Sequence, residues 1–249
     1  MLVRPGFSAI RVFQGQMILY YYTSQRHGLA SIRDKRIKVS KFSELNDPFD
    51  FLGIATDKKE EREQVKRMRG KLDRVTGLIC MSEVWNEPLL WGHYADKHKG
   101  VCLAFEVKAS KWDKVEYVDE RPRLSDYGVN SVAQLSAANY RDISRKKFKS
   151  WSYEKEWRYF LSFRKPDFVE GHHFLEFDDS LKLIGILFGE RSTVTKSQIN
   201  AVTDSHPGIK IGFTRAAFSR FAVILNRMRS QVMVPKANRI KLPKIGSAE

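Results

Sequence analysis

The chain has 249 residues, 42% of them hydrophobic and 12% aromatic, which is enough to bury a substantial core and excludes a chain disordered by composition. Its 44 Lys and Arg against 29 Asp and Glu give a formal net charge of +15. That surplus is a positive field which concentrates polyanions, so nucleic acid is the first partner to consider.

The residues Ile18 to Tyr22 form an aromatic run of β type, and Leu29, Ile32 and Ile37 space like a short helix leading to a second strand or turn. Ser43 to Asp50 then brings turn chemistry. Asn46-Asp47-Pro48 favours a sharp bend that holds its polar side chains close together, with Phe49 as an anchor into the core. From Lys58 to Arg74 the positions Val65, Met68, Leu72 and Val75 recur at helical spacing among mixed charges, which predicts a surface helix.

Leu78 to Ser82, Val101 to Val107 and Val115 to Val118 read as strands, with a short helix from Trp85 to Lys99 between the first two. Ser131 to Phe148 reads as helix. Glu156 to Phe163, His173 to Phe177 and Leu181 to Phe188 follow as strands, then a helix from Lys196 to Val202 and a strand from Ile209 to Phe213. A final helix is predicted over Arg215 to Arg229, burying a stripe of Phe218, Phe221, Leu225 and Met228. The economical architecture is α+β: one domain over residues 1–234, a mixed and mostly antiparallel β core with flanking helices, and a basic tail over 235–249.

Cys80 and Cys102 each sit inside an apolar run, which suits buried thiols in a reducing compartment rather than a disulfide framework or a metal cluster. Met1 to Gln16 carries Arg4 and Arg11 without a following apolar stretch, so neither a signal peptide nor a membrane span is expected. A cytoplasmic protein is expected. Between Asp204 and Glu249 no acidic residue occurs while nine Lys and Arg do. Such a face is either a solvated surface or a dock for polyanions, and charge alone does not separate the two.

Two clusters carry chemistry. In Trp151-Ser152-Tyr153-Glu154-Lys155-Glu156-Trp157-Arg158 an extended backbone would put Glu154, Glu156 and Arg158 on one face, where Arg keeps the carboxylates ionised. Such a group can hold a ribose hydroxyl and stabilise positive charge at an anomeric carbon. The competing reading is a ladder of opposite charges on an edge strand. In Trp91-Gly92-His93-Tyr94-Ala95-Asp96 the aromatic faces could sandwich a nicotinamide or adenine ring, although Trp91 or Tyr94 taken singly is better explained as core. His93 and His98 lack metal-ligand spacing. Ser82, directly after a strand, could close a nucleotide pocket or cap a turn.

The stretches Asn46-Asp47-Pro48-Phe49-Asp50, Cys80-Met81-Ser82, Trp91 to Asp96 with Gly100-Val101-Cys102, and Tyr153 to Arg158 resemble a bacterial family of unknown function common in defence loci. More distantly, Leu19 to Ser24, the spacing of Leu29, Ile32 and Ile37, and the Asn46-Asp47-Pro48 bend are similar to the opening of ADP-ribosyltransferases of the DNA-modifying toxin type.

That likeness implies an ADP-ribosyltransferase-like fold and NAD as substrate. Glu156, or Glu154 of the Glu-x-Glu pair, would be the late catalytic glutamate. Tyr22, Thr23, Asn46, Asp47, Ser82, Trp91, Tyr94 and Arg158 would surround the dinucleotide. Tyr22 or Thr23 stands where those enzymes carry His or Arg on the first strand, with Arg26 or His27 as substitutes. The acceptor implied is a base of RNA or single-stranded DNA, and the toxin class adds an antitoxin protein as partner. Two other readings stay open. One is a binding module for nucleic acid or protein in a defence system, without catalysis. The other is a nuclease gathering a divalent metal on Asp47, Asp50, Glu154 and Glu156.

Overall fold

The computed structural model describes residues 15–50, 53–163 and 168–240. The expectation for Met1 to Gln16 falls almost wholly outside the described residues, as does that for the end of the basic tail, 241–249. In chain order the elements are β1 (Gln16–Thr23), α1 (Gln25–Arg33), β2 (Arg36–Val39), α2 (Lys59–Val75), β3 (Thr76–Ser82), α3 (Pro88–Tyr94) and β4 (Val101–Lys108). There follow β5 (Asp113–Lys114), β6 (Glu116–Val118), α4 (Ala137–Ile143), β7 (Lys146–Phe148), β8 (Glu156–Ser162), β9 (Phe168–Val169), β10 (His172–Glu176) and β11 (Leu181–Phe188). The last are α5 (Lys196–Ser205), β12 (Lys210–Ala216), β13 (Val223–Leu225) and α6 (Arg227–Met233). The class is mixed α+β with mostly antiparallel strand pairing and flanking helices, as expected. Among the described residues no helix is long and apolar enough to cross a membrane.

The described residues divide into two compact units, one within 1–36, 82–109 and 176–249, the other within 37–81 and 110–175. In the first unit β4 pairs antiparallel with β1 along its whole length, so that Tyr20 faces Ala104 and Tyr22 faces Cys102, and pairs antiparallel with β11 on its other side. β11 and β12 run parallel, joined through α5, and β13 folds back antiparallel on β12. Val101 to Phe105 is buried at every position because β4 is the central strand of this set. Tyr20, Trp91, Ala95, Cys102, Ala104, Leu187 and Val223 form one core cluster.

In the second unit β3, β8 and β5 are neighbours in one sheet, and β6 runs parallel to β7. One apolar cluster joins Phe42 and Leu78 with Leu45, Leu72 and Phe160. A second gathers Ile54, Val65, Leu124, Val132, Leu135 and Ile143. Both cysteines are free, Cys102 buried and Cys80 half-buried.

Three local expectations are corrected. Ser131 to Phe148 is not one helix: a 3-10 turn at Val132–Gln134, the short α4 and the strand β7 share it, with Ser136 capping α4 by accepting from the Asn139 amide. The helix between Trp85 and Lys99 shortens to α3, closed by left-handed backbone at Asp96, Lys97 and His98. Arg215 to Arg229 is not a helix either. β12 continues to Ala216, the chain turns, and β13 returns before α6 begins. Phe218, Phe221 and Met228, placed by their spacing on a buried stripe, are instead 94%, 105% and 80% exposed, and Leu225 is partly buried in β13.

Where α3 gives way to β4, Gly100 donates its amide to the Ala95 carbonyl at 2.7 Å. A Cβ there would collide with the Thr23 carbonyl oxygen and lie 2.8 Å from the Ala95 backbone. Because both obstacles are backbone, neither can swing aside. Gly100→Ala is therefore expected to destabilise the fold by about 1–3 kcal/mol, read as a lowered midpoint in urea unfolding, whereas Gly92→Ala, which meets open space, is not.

Candidate functional site

The turn at Asp47 to Asp50 is built by its own side chain, since Asp47 Oδ1 accepts the Phe49 amide at 2.9 Å and the Asp47 carbonyl accepts the Asp50 amide at 3.0 Å. The effect is to direct Asp50 inward, where it is 3% exposed, and Phe49 outward, where it is 60% exposed. Phe49 is thus not the core anchor its position in the bend suggested. Asn46 is exposed.

Asp50 meets the Glu-x-Glu-x-Arg segment. β8 places Glu156 and Arg158 on one buried face with Trp157 more open between them, the alternation expected of a strand. Glu154 does not belong to that strand. It closes a 3-10 helix over Lys149–Glu154, and left-handed Lys155 (φ 46°) separates it from β8. Its carboxylate nevertheless reaches the same place by a different route, through Lys147 on β7. Lys147 Nζ donates to Glu154 Oε2 at 2.6 Å and to Glu156 Oε2 at 3.0 Å, and stands 3.6 Å from Asp50 Oδ2. Arg158 donates through Nε to Glu156 Oε1 at 2.8 Å and through Nη2 to Asp50 Oδ1 at 2.8 Å, while its Nη1 satisfies the Ser144 carbonyl at 2.7 Å. The Tyr117 hydroxyl accepts the Glu156 amide at 2.8 Å.

All five charged side chains are at most 6% exposed, and Arg158 only 1%. Three carboxylates face two cations, so the cluster is formally left with one net negative charge. Burial alone would raise the Glu156 carboxyl, but Arg158 and then Lys147 outweigh it and hold the group well below the usual carboxylate range. For Lys147 burial opposes the ammonium, and Glu156, Asp50 and Glu154 together overcome it and keep it protonated above the ordinary lysine range. Burial, and next the charge of Glu156, push the neighbouring Cys80 thiol far above its usual range, so it is an inert neutral donor. Among the described residues no three His, Cys, Asp or Glu side chains are arranged to hold a metal ion. In this cluster the Lys147 ammonium takes the place between the carboxylates.

Lys147 also lines a cleft of about 270 Å³ in the second unit. Phe49 and Phe148 stand on it, both more than half exposed, together with Gly53, Val118, Arg121 and Lys146. The Arg121 guanidinium lies 4.8 Å from the Phe49 ring centroid. Lys146 is already paired with Glu116 at 2.8 Å, and the acidic lining residues are Asp119, which accepts from Lys149, and Glu120.

The remaining residues of the expected NAD site lie in the first unit. Tyr22 donates its hydroxyl to the Val84 carbonyl at 2.8 Å and meets Trp91 edge to face at 5.4 Å. Trp91 is fully buried and donates Nε1 to the Trp85 carbonyl at 2.6 Å. A ring without exposed surface offers no face to a ligand, so Trp91 serves this unit's core. Ser82, buried at the end of β3 and opposite Tyr20 on β1, accepts the Val84 amide at 3.1 Å, a turn-capping role. Thr23 and Tyr94 are partly exposed, and Arg26 and His27 exposed.

Sequence reasoning did not single out Lys147, Phe148 or Arg121. One signal for Lys147 was available: burying Asp50, Glu154 and Glu156 against Arg158 alone would leave too much negative charge, which calls for a second cation.

A family model described as a protein of unknown function (DUF2971) matches residues 90–159. The match takes in the left-handed stretch Asp96 to His98, Gly100, Lys147, both glutamates and Arg158. Neither a curated protein nor a solved structure gave a match.

Removing one partner of a buried pair leaves an uncompensated charge, so Lys147→Met is expected to cost about 3–5 kcal/mol of unfolding free energy. Arg67→Met, which breaks the exposed Arg67–Glu63 pair at 3.9 Å, should cost about 1 kcal/mol or less. Chemical denaturation of the two variants compares them directly. Because Glu156 is depressed in the folded state, its contribution is present above the unfolded glutamate value of about 4.3 and fades as pH falls toward the folded value. Unfolding free energy should therefore drop between about pH 5 and pH 2, and Glu156→Gln should show a shallower drop.

Proposed function

We propose that the chain is an NAD-dependent ADP-ribosyltransferase toxin of bacterial defence, acting on a base of RNA or single-stranded DNA, with the second unit's cleft as the place where NAD reacts. The observation that carries this reading is the meeting of two features. The cleft offers exposed rings, Phe49 and Phe148, and the Arg121 cation, and its lining residue Lys147 is bonded to both glutamates of the Glu-x-Glu pair. Rings stack on a planar heterocycle, and a guanidinium pairs with phosphate.

In the transfer, the bond from the ribose anomeric carbon to the nicotinamide nitrogen breaks and nicotinamide leaves with its electron pair. A base nitrogen or oxygen donates the pair that forms the new bond, and the acceptor's proton, where it has one, passes to solvent. The protein's part is electrostatic. Of the cluster, Lys147 lines the cleft, and the carboxylates behind it, fixed before reaction, more than offset its ammonium, so the formal negative excess favours the oxocarbenium-like carbon without reorganising during the step. Arg158 and Lys147 keep Glu156 ionised for it. The net charge of +15 favours a polyanionic acceptor.

A second reading, a nucleic-acid-binding module without catalysis, is favoured by a specific observation: both Glu156 oxygens are already engaged by Arg158 and Lys147. Incubating the purified chain with adenylate-labelled NAD and separate pools of RNA, single-stranded DNA and protein distinguishes the two. Transfer predicts label in nucleic acid and released nicotinamide, and Phe148→Ala and Phe49→Ala should each lower the rate about three- to tenfold. Those side chains are exposed, so the melting temperature should hold. Glu156→Gln should abolish release at temperatures where it remains folded. Release of nicotinamide with no acceptor pool would be excluded by the binding-module reading; no release with any pool contradicts transfer.

A further inference from the structure

We propose that the hairpin between β12 and β13 in the first unit is a docking tip for single-stranded nucleic acid, in which bases stack on Phe218 and Phe221 and phosphates pair with the arginines around them. The turn is closed by the Ala217 amide donating to the Ala222 carbonyl at 2.9 Å. The two rings project from it with 94% and 105% of their surface in solvent. Large apolar side chains left in water by a folded chain mark places where something else covers them.

The surroundings select the occupant. Arg215 lies with its guanidinium 4.2 Å from the Phe218 ring centroid, and Arg220 and Arg227 are exposed. From Ser205 through Ile240 the chain has seven Lys and Arg and no Asp or Glu. Several of these cations are anchored, Lys210 on the Ala237 carbonyl, Arg229 on those of Glu190 and Ser192, and Arg239 on those of Val234 and Gln231. Carbonyls carry no net charge, so the field stays positive. Glu190 is the carboxylate at the base of the hairpin, accepting the Ala216 amide at 3.2 Å.

An aromatic pair within a cationic field is what an unpaired strand requires, because its bases expose faces for stacking and its backbone supplies the anion. Paired bases are stacked on one another and leave the rings without partners. A bilayer fits less well. Ser219 and Arg220 lie between the two rings at the turn, so inserting both would carry a charge into hydrocarbon.

The inference does not depend on transfer chemistry, since binding is read without NAD. Fluorescence anisotropy with labelled oligo(U) and oligo(dT) of about 12 nucleotides would compare the full chain with a Phe218→Ala, Phe221→Ala double variant and with Arg220→Gln, using inorganic polyphosphate as competitor. The double variant should keep its melting temperature, bind both oligonucleotides about tenfold or more weakly, and bind polyphosphate within about twofold of the parent. Arg220→Gln should make oligonucleotide binding less steeply dependent on salt, by about 0.7 in the logarithmic slope. Oligonucleotide binding by the double variant within about twofold of the parent would overturn the proposal. So would tighter binding of a duplex than of the single strand, or, with phosphatidylserine vesicles as a further ligand, a double variant that loses vesicle binding while keeping oligonucleotide binding.

Discussion

Five buried charges in the second unit constrain most of what is built around them. Isolated, any one of Asp50, Lys147, Glu154, Glu156 or Arg158 would cost several kcal/mol to remove from water. Together they compensate one another, with Arg158 bridging Glu156 and Asp50 and Lys147 bridging Glu156 and Glu154. The geometry is narrow because each cation must meet its partners at once. It ties four segments together: the Asp47 to Asp50 turn, β7, the 3-10 helix ending at Glu154, and β8. Two consequences follow from the same constraint. Turning Asp50 inward turns Phe49 out, and placing Lys147 inward on β7 leaves Phe148, one residue on, facing outward. The two exposed rings of the cleft are thus by-products of satisfying the buried charges.

Such clusters often add little net stability compared with an apolar replacement of equal volume, while breaking one partner is costly. What they add is register. The strand β7 has only three residues, and the Lys147 pairs reinforce the register set by its parallel pairing with β6. The same ion pairs hold Glu156 ionised, and the formal excess of one negative charge is a property of the whole cluster rather than of Glu156.

How far the sequence revealed this follows from the range of the forces involved. Period-two alternation is local, so the sharing of one face by Glu156 and Arg158 opposite Trp157 could be read directly, though not that this face is the buried one. Strands over Ile18–Tyr22, Val101–Val107 and Leu181–Phe188 could also be read and lie within β1, β4 and β11. Glu154 broke the pattern through one left-handed residue, Lys155, which no propensity signals. Lys147 sits between Lys146 and Phe148 in a stretch whose composition suits a helix, and its burial depends on partners in three other segments, Glu154, Glu156 and the sequence-distant Asp50. Phe218, Phe221, Leu225 and Met228 show the converse. Their three- and four-residue spacing is that of a buried helical stripe, but Val223 to Leu225 pairs with β12 instead, and tertiary pairing overrode the periodicity.

We propose the cleft of Phe49, Arg121 and Phe148 beside Lys147 as the place where NAD reacts. A crystal structure with a non-hydrolysable NAD analogue tests it most directly. The expected result is a planar ring of the analogue against Phe49 or Phe148 with a phosphate oxygen on Arg121. An analogue bound elsewhere on the molecule, with this cleft vacant, would contradict it.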